Sequence, residues 1–127
     1  MLRDFILQAK AVSDETRVRI LKLLEGRELC VCQLMDILGM GQSTVSKHLG
    51  ILKTAGLVEC KRDGTWTFYR LPDNLINTYN PDFLKLLSSC LAGDTLILED
   101  KKRLKEVVKQ DIKVLCRPVK RGSNSKK

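Results

Sequence analysis

Two cysteines one residue apart, Cys30 and Cys32, stand in the segment Glu28-Leu29-Cys30-Val31-Cys32-Gln33-Leu34. Thiolates are soft ligands and redox centres, so such a pair can hold one soft ion or be oxidised. The segment opens a short apolar-periodic stretch, Leu34, Ile37 and Leu38, ended by Gly39. A helix there needs an N-cap, a place normally filled by Ser, Thr, Asp or Asn. Cys30 occupies it, and Gln33, three residues on, stands where a capping-box partner belongs. A sulfur in that position faces free N–H groups and the positive end of the helix dipole, and both favour the thiolate. Cys32, in the first turn, brings a second sulfur to the same ion. The plainer reading is a small packed side chain, since cysteine is common in cores.

A second chemistry lies just downstream. Val45, Leu49 and Leu52 recur at i, i+4 and i+7, one apolar stripe of a helix of about three turns. Ser43, Lys47, Gly50 and Thr54 make the opposite stripe, which is small, polar and free of acid. Such a face suits insertion into a groove. With the short stretch before it and a tight Gly39-Met40-Gly41 turn between, the pattern predicts a helix-turn-helix. Ser43, Thr44 and Ser46 are expected to approach base edges, Lys47 a phosphate, and Gln42 and His48 to flank them. An ordinary αα-hairpin is the plainer reading, and the next segment argues against it.

After Gly56 the period changes from 3.6 to 2. Leu57 to Arg62 and Thr65 to Leu71 are strand-like, and Asp63-Gly64 between them predicts a hairpin with positive φ at both turn positions. A helix-turn-helix running into a basic-tipped hairpin is a winged helix. Lys61 and Arg62 at the tip are placed to reach the phosphate backbone or an adjacent minor groove.

The remaining elements must hold these two sites. Leu2, Phe5, Ile6 and Ala9 mark a first amphipathic helix ending near Lys10. Ser13 is expected to cap a second helix, with Asp14 and Glu15 in its first turn and a broad apolar face at Val18, Ile20, Leu21, Leu23 and Leu24. Beyond the wing, Pro81 suits the first turn of another helix carrying Phe83, Leu87 and Cys90 on one stripe. Asp94 or Thr95 can cap a last helix with Leu96, Ile97, Leu104, Val107, Val108, Ile112 and Leu115, ended by Pro118. These terminal helices are more apolar than one compact domain needs. A two-fold homodimer through the faces around Phe5 and Ile6 and around Leu104 and Val108 is the simplest sink.

The reading is thus a mainly α fold with a small β-hairpin. Residues 1–116 form one winged helix-turn-helix and dimerisation domain, with dimerisation helices over about 81–116, and 117–127 form a basic, disordered tail. The 127 residues suffice for one core. A formal net charge of +8 and a pI near 9.4 favour polyanions, double-stranded DNA first. No apolar run approaches the ~20 residues needed to cross a bilayer, and no signal-peptide layout opens the chain. A cytoplasmic, membrane-free protein is expected, with its five cysteines held as reduced thiols.

With these stretches in hand, the chain resembles the ArsR/SmtB family of bacterial metal-responsive repressors. The resemblance spans roughly residues 11–71, through Ser13-Asp14-Glu15-Thr16-Arg17-Val18-Arg19-Ile20-Leu21, Glu28-Leu29-Cys30-Val31-Cys32, Gln42-Ser43-Thr44-Val45-Ser46-Lys47-His48-Leu49 and Gly64-Thr65-Trp66-Thr67-Phe68-Tyr69-Arg70-Leu71. It implies a dimeric winged helix that represses an operon and leaves its operator when a metal or metalloid binds. The Glu-Leu-Cys-Val-Cys segment resembles the inducer site of the arsenic and antimony branch, where a third cysteine three residues after the second completes a thiolate site for As(III) or Sb(III). Here that position is Met35, a poor substitute. Cys60 alternates with Val58 on a strand and reads as packed, and Cys90 shares a stripe with Phe83 and Leu87. Cys116, beside Arg117 and the tail, is favoured as the third ligand, the alternative being a two-thiolate site.

Zinc, cobalt or nickel sites of the family use His and carboxylates on the last helix, and this chain has one histidine, in the recognition helix. A cadmium or lead sensor, built on an N-terminal cysteine extension, is the lesser alternative. A thiol redox or sulfide switch, with Cys30 and Cys32 oxidised together or linked to a distant cysteine, is the main one. A thiol enzyme is disfavoured, because no βαβ unit surrounds the pair and no base accompanies it.

Overall fold

A computed structural model describes residues 2–72 and 80–111. In chain order they form α1 (Leu2–Ala11), α2 (Glu15–Leu23), β1 (Leu29–Cys30), α3 (Val31–Leu38), α4 (Gln42–Thr54), β2 (Glu59–Asp63), β3 (Trp66–Arg70), α5 (Asn80–Ser89) and α6 (Thr95–Val107). The architecture is a winged helix-turn-helix, as the change of hydrophobic period predicts.

Capping explains where the helices begin. The N-cap of α2 is Asp14 rather than Ser13, its carboxylate accepting the Arg17 N–H at 3.1 Å. Ser13 faces backwards, its hydroxyl donating to the Lys10 carbonyl at 2.8 Å to close α1. Both residue types can cap; an ionised oxygen makes the stronger bond to a helix N-terminus, so the carboxylate takes the place. For α3, Cys30 is the N-cap and Gln33 its capping-box partner, as expected; the Gln33 side chain accepts the Cys30 N–H at 2.9 Å. Gly39 ends α3 in the left-handed conformation, φ +67°, where its N–H and that of Met40 both return to the Met35 carbonyl.

The wing is wider than a hairpin. A three-stranded antiparallel sheet runs in the order β1-β3-β2, with Leu29 opposite Tyr69 and Cys30 opposite Phe68. β1 escapes sequence reading because two residues are too few to show alternation. The β2–β3 register pairs Asp63 with Trp66, which makes Gly64 and Thr65, not Asp63 and Gly64, the turn centre. Only Gly64 of these two has positive φ, so the turn is of the kind that needs glycine first.

The core gathers Ile20, Leu21 and Leu24 of α2 and its C-cap, Leu34 and Ile37 of α3, and Val45, Leu49 and Leu52 of α4, all at most 2% exposed. Leu104 and Val107 of α6 belong to the same cluster, which corrects the expectation that Leu104 faces a symmetry mate. Polar clamps hold α6 inward. Asp100 takes the Arg19 guanidinium through two bonds of 2.8 and 2.9 Å, and Arg103 donates to the Asp36 carbonyl of α3 at 2.8 Å. The guanidinium in turn is held above its ordinary range by the Asp100 hydrogen bond. Asp94 caps α6, and Val108 ends it. The expected continuation through Ile112 and Leu115, and the basic tail of 117–127, lie outside the described residues.

Candidate thiol site and nucleic-acid interface

The outer face of α4 is presented as the periodicity requires. With Val45, Leu49 and Leu52 fully buried, Gln42, Ser43, Thr44, Ser46, Lys47 and Gly50 are all exposed. Gly41 caps this helix without a side-chain bond. The first amides of α4 therefore meet no capping side chain, an arrangement that suits a phosphate oxygen. Lys61 and Arg62 are exposed on β2 next to the Gly64 turn, opposite Phe68 and Thr67. At the far end of α4, the Cys60 side chain of β2 holds the Lys53 ammonium above its ordinary range.

His48 departs from its neighbours. It is half-buried and turns toward the start of α2, with Nδ1 at 3.2 Å from an Arg17 guanidinium nitrogen and 3.8 Å from Asp14 Oδ2. Beyond the flanking position of the ring, no residue pattern signals this inward partner. Burial pushes the Asp14 carboxyl up, but the Arg17 amide and the Arg17 charge outweigh it and leave the group below the usual range.

Around α3 the cysteines divide. Cys30 is 2% exposed, held at the junction of β1 and α3. Cys32 is half-buried in the first turn of α3 and is in a disulfide, while Cys30, Cys60 and Cys90 carry thiols. Met35 is half-buried on the same helix. Cys60 is half-buried on β2 opposite Tyr69, and Cys90 is half-buried just past α5, its thiol 3.7 Å from the Leu87 carbonyl. Neither lies on the element that carries Cys30 and Cys32. Cys116 lies outside the described residues, and among those described no three Cys, His, Asp or Glu side chains converge as a metal site.

Known proteins resemble this chain in sequence and fold. The bacterial regulatory protein, arsR family, matches residues 14–59. The chain is 48% identical over 68 residues to the uncharacterised HTH-type transcriptional regulator MJ1325 of Methanocaldococcus jannaschii, covering 53% of this chain and 76% of that protein. It is 37% identical over 78 residues to the arsenical resistance operon repressor of Bacillus subtilis, covering 61% of this chain and 74% of the repressor. Among solved structures, it resembles the homodimeric winged helix-turn-helix DNA-binding domain of Mb0332 from Mycobacterium bovis, described as a possible ArsR-family transcriptional regulator. That likeness has a TM-score of 0.58 and 32% identity, over 68% of this chain and 74% of that one. No described helix is long and apolar enough to cross a membrane. The chain belongs to the ArsR family of bacterial regulatory proteins, winged-helix DNA-binding transcription regulators rather than enzymes.

Proposed function

We propose that the protein is a homodimeric repressor that leaves its operator when trivalent arsenic or antimony binds the thiolates of Cys30 and Cys32. The observation that carries the reading is the double role of Cys30, at once N-cap of α3 and strand partner of β3. An ion that draws both sulfurs together imposes a geometry unlike a helical first turn. Distorting that turn disturbs α3, against which α4 packs, and the wing in the same movement. The similarity to an arsenical resistance repressor supports the same inducer class. A third thiolate from Cys116 would complete the ion's shell. In the operator complex, α4 enters the major groove with Ser43, Thr44 and Ser46 toward base edges, while Lys47, Lys61 and Arg62 take phosphates.

Dimerisation is assigned to α1 and α5. Leu2, Phe5 and Ile6 are 76, 43 and 41% exposed, Leu86 is 61% exposed, and the Phe5 and Phe83 rings meet at 5.7 Å, so the two helices share one apolar surface. The test of the function is operator release by As(III) under strict reduction. Release by the wild type at micromolar As(III), lost in a Cys30→Ser, Cys32→Ser variant, supports the site; equal release by both locates the inducer elsewhere.

The disulfide at Cys32 favours a second reading, in which oxidation itself is the signal. Two thiols would then yield two protons and two electrons to a peroxide or polysulfide, forming one S–S bond. Peroxide-dependent release that a dithiol reductant reverses, without any As(III) effect, would select it.

A further inference from the structure

Arg17 reaches three elements at once. Its Nε donates to the Ala11 carbonyl at 2.8 Å and one terminal nitrogen to the Lys10 carbonyl at 3.2 Å, which secures the C-terminal end of α1. Its other terminal nitrogen lies 3.2 Å from His48 Nδ1 on the recognition helix. The amide of Arg17 is meanwhile held by the Asp14 cap. A second tie joins the same helices, from Gln8 Nε2 to the Ala55 carbonyl just beyond α4 at 3.2 Å. The helix that carries Leu2, Phe5 and Ile6 is thus hydrogen-bonded to the helix proposed to enter DNA.

The chemistry of the contact assigns a proton. A guanidinium has donors only and stays charged, so the Nδ1 it meets must present its lone pair. His48 is therefore neutral, with its hydrogen on Nε2. Protonation would set an Nδ1–H against the Arg17 donor and add a like charge. The alternative partner for that hydrogen is Asp14 Oδ2, at 3.8 Å. Arg17 and Asp14, both at the start of α2, are the charged groups described as facing the ring, while α1 offers the guanidinium its backbone carbonyls. A charged ring would be drawn from the guanidinium toward the cap of α2, and α4 would lose one of its two ties to α1, keeping that from Gln8 to Ala55.

We propose that Arg17 and His48 are a positioning pair which seats the recognition helix against α1, and that the pair holds only while His48 is neutral. Specific DNA binding then falls on acidification, although a protonated surface binds any DNA more tightly. The inference rests on α4 being the DNA-reading helix, and its tests separate the two. His48 is the one histidine of the chain, so ring signals are unambiguous.

The first measurement needs no DNA. Long-range ¹H–¹⁵N correlation at neutral pH should report the Nε2–H tautomer; an Nδ1–H tautomer or an imidazolium overturns the pairing. The second uses a duplex selected from a random pool by the wild-type protein, beside an unrelated duplex of equal length. The ratio of the two affinities cancels the general electrostatic gain. Between about pH 8 and pH 5, the range in which histidine changes charge, the wild-type ratio should fall about tenfold. His48→Asn keeps an acceptor where Nδ1 stands and cannot be protonated; its ratio should match the wild type at high pH and stay flat. His48→Ala should lose about tenfold of the ratio at every pH with the salt slope unchanged, since every phosphate partner stays in place. A flat wild-type profile, an Asn variant that follows the wild type, or an Ala variant with an unaltered ratio each overturns the proposal. A wild type that selects no duplex strikes the DNA reading of α4 instead, and the tautomer still reads the pair.

Discussion

Cys30 lies opposite Phe68 across the β1–β3 ladder while its N–H is held by Gln33 one turn into α3. One residue thereby belongs to the wing sheet and to the first helix of the helix-turn-helix. Under the proposed sensing through sulfur, this is an efficient place for a ligand, because a pull on one side chain would be felt by the helix-turn-helix and the wing sheet alike. The energy needed is modest. Hundredfold release would take roughly 2.7 kcal/mol of coupling, which the proposed ion would supply only through unequal affinity for the two conformations.

Cys30→Ser should keep the N-cap, and with it the fold and DNA binding, yet lose the response to As(III). Cys32→Ser should lose it too, while Cys60→Ser and Cys90→Ser retain it. Cys116→Ser discriminates between a three-thiolate site, if the response weakens, and a two-thiolate site, if it does not. Operator release measured by fluorescence anisotropy under strict reduction checks all five variants.

Lys47 is exposed on the acid-free face of α4. Lys47→Ala should weaken operator and unrelated DNA alike and lower the slope of log affinity against log salt by about 0.9, the value of a single neutralised phosphate. Titration at several salt concentrations reads this; an unchanged slope removes Lys47 from the interface.

Assembly should respond on α1 and not on α6. A Phe5→Glu, Ile6→Glu variant should sediment as a folded monomer, since both side chains are more than 40% exposed. Leu104→Glu should instead unfold the chain, because it places a carboxylate in the main core. A folded wild-type-like dimer from the first variant would end the α1 assignment.

Stability should separate the two faces of α4. Leu49→Ala removes a side chain with 0% exposure and should cost about 2–5 kcal/mol, whereas Ser43→Ala on the outer face should stay within about 0.5 kcal/mol. Thermal melts followed by circular dichroism measure both.

The Asp14 cap makes an acid-side prediction. Its carboxyl lies below the usual range when folded, so the charged form stabilises the native state above the unfolded carboxylate range near about pH 4. That contribution fades as pH falls through the lower folded value. Asp14→Ala should cost about 0.5–2 kcal/mol near neutrality through removal of the cap, and the gap from wild type should close in denaturant titrations taken toward pH 2.

Much of this is readable from residue order, for reasons that differ by element. The stripe of Val45, Leu49 and Leu52 repeats often enough to declare its buried face, and the face opposite follows by geometry. Cys30 as an N-cap is legible because Gln33 stands in the matching place. Pairings distant in sequence are not. Nothing in Arg19 and Asp100, 81 residues apart, announces a two-bond clamp, and without that clamp α6 reads as an outward-facing helix. Residue order alone puts Leu104 on the wrong side on that account. The inward contact of His48 is hidden for a related cause: its partner Arg17 lies on a different helix, 31 residues earlier.

The seat of α5 on α2 has a bearing on how the protein can change. Lys22 is 3% exposed, and its ammonium donates to the Leu87 carbonyl at 2.8 Å, the Cys90 carbonyl at 3.0 Å and Glu25 Oε2 at 3.2 Å, so each of its three hydrogens has an acceptor. A cation that grips main-chain oxygens is blind to the side chains those oxygens belong to. The helix above it can therefore diverge at outward positions such as Leu86 and still dock, as long as Leu87 keeps its place in the core. Paralogues that share the lysine would be free to acquire incompatible α5 surfaces, and so to stop forming mixed assemblies in one cell while keeping a common DNA-reading body.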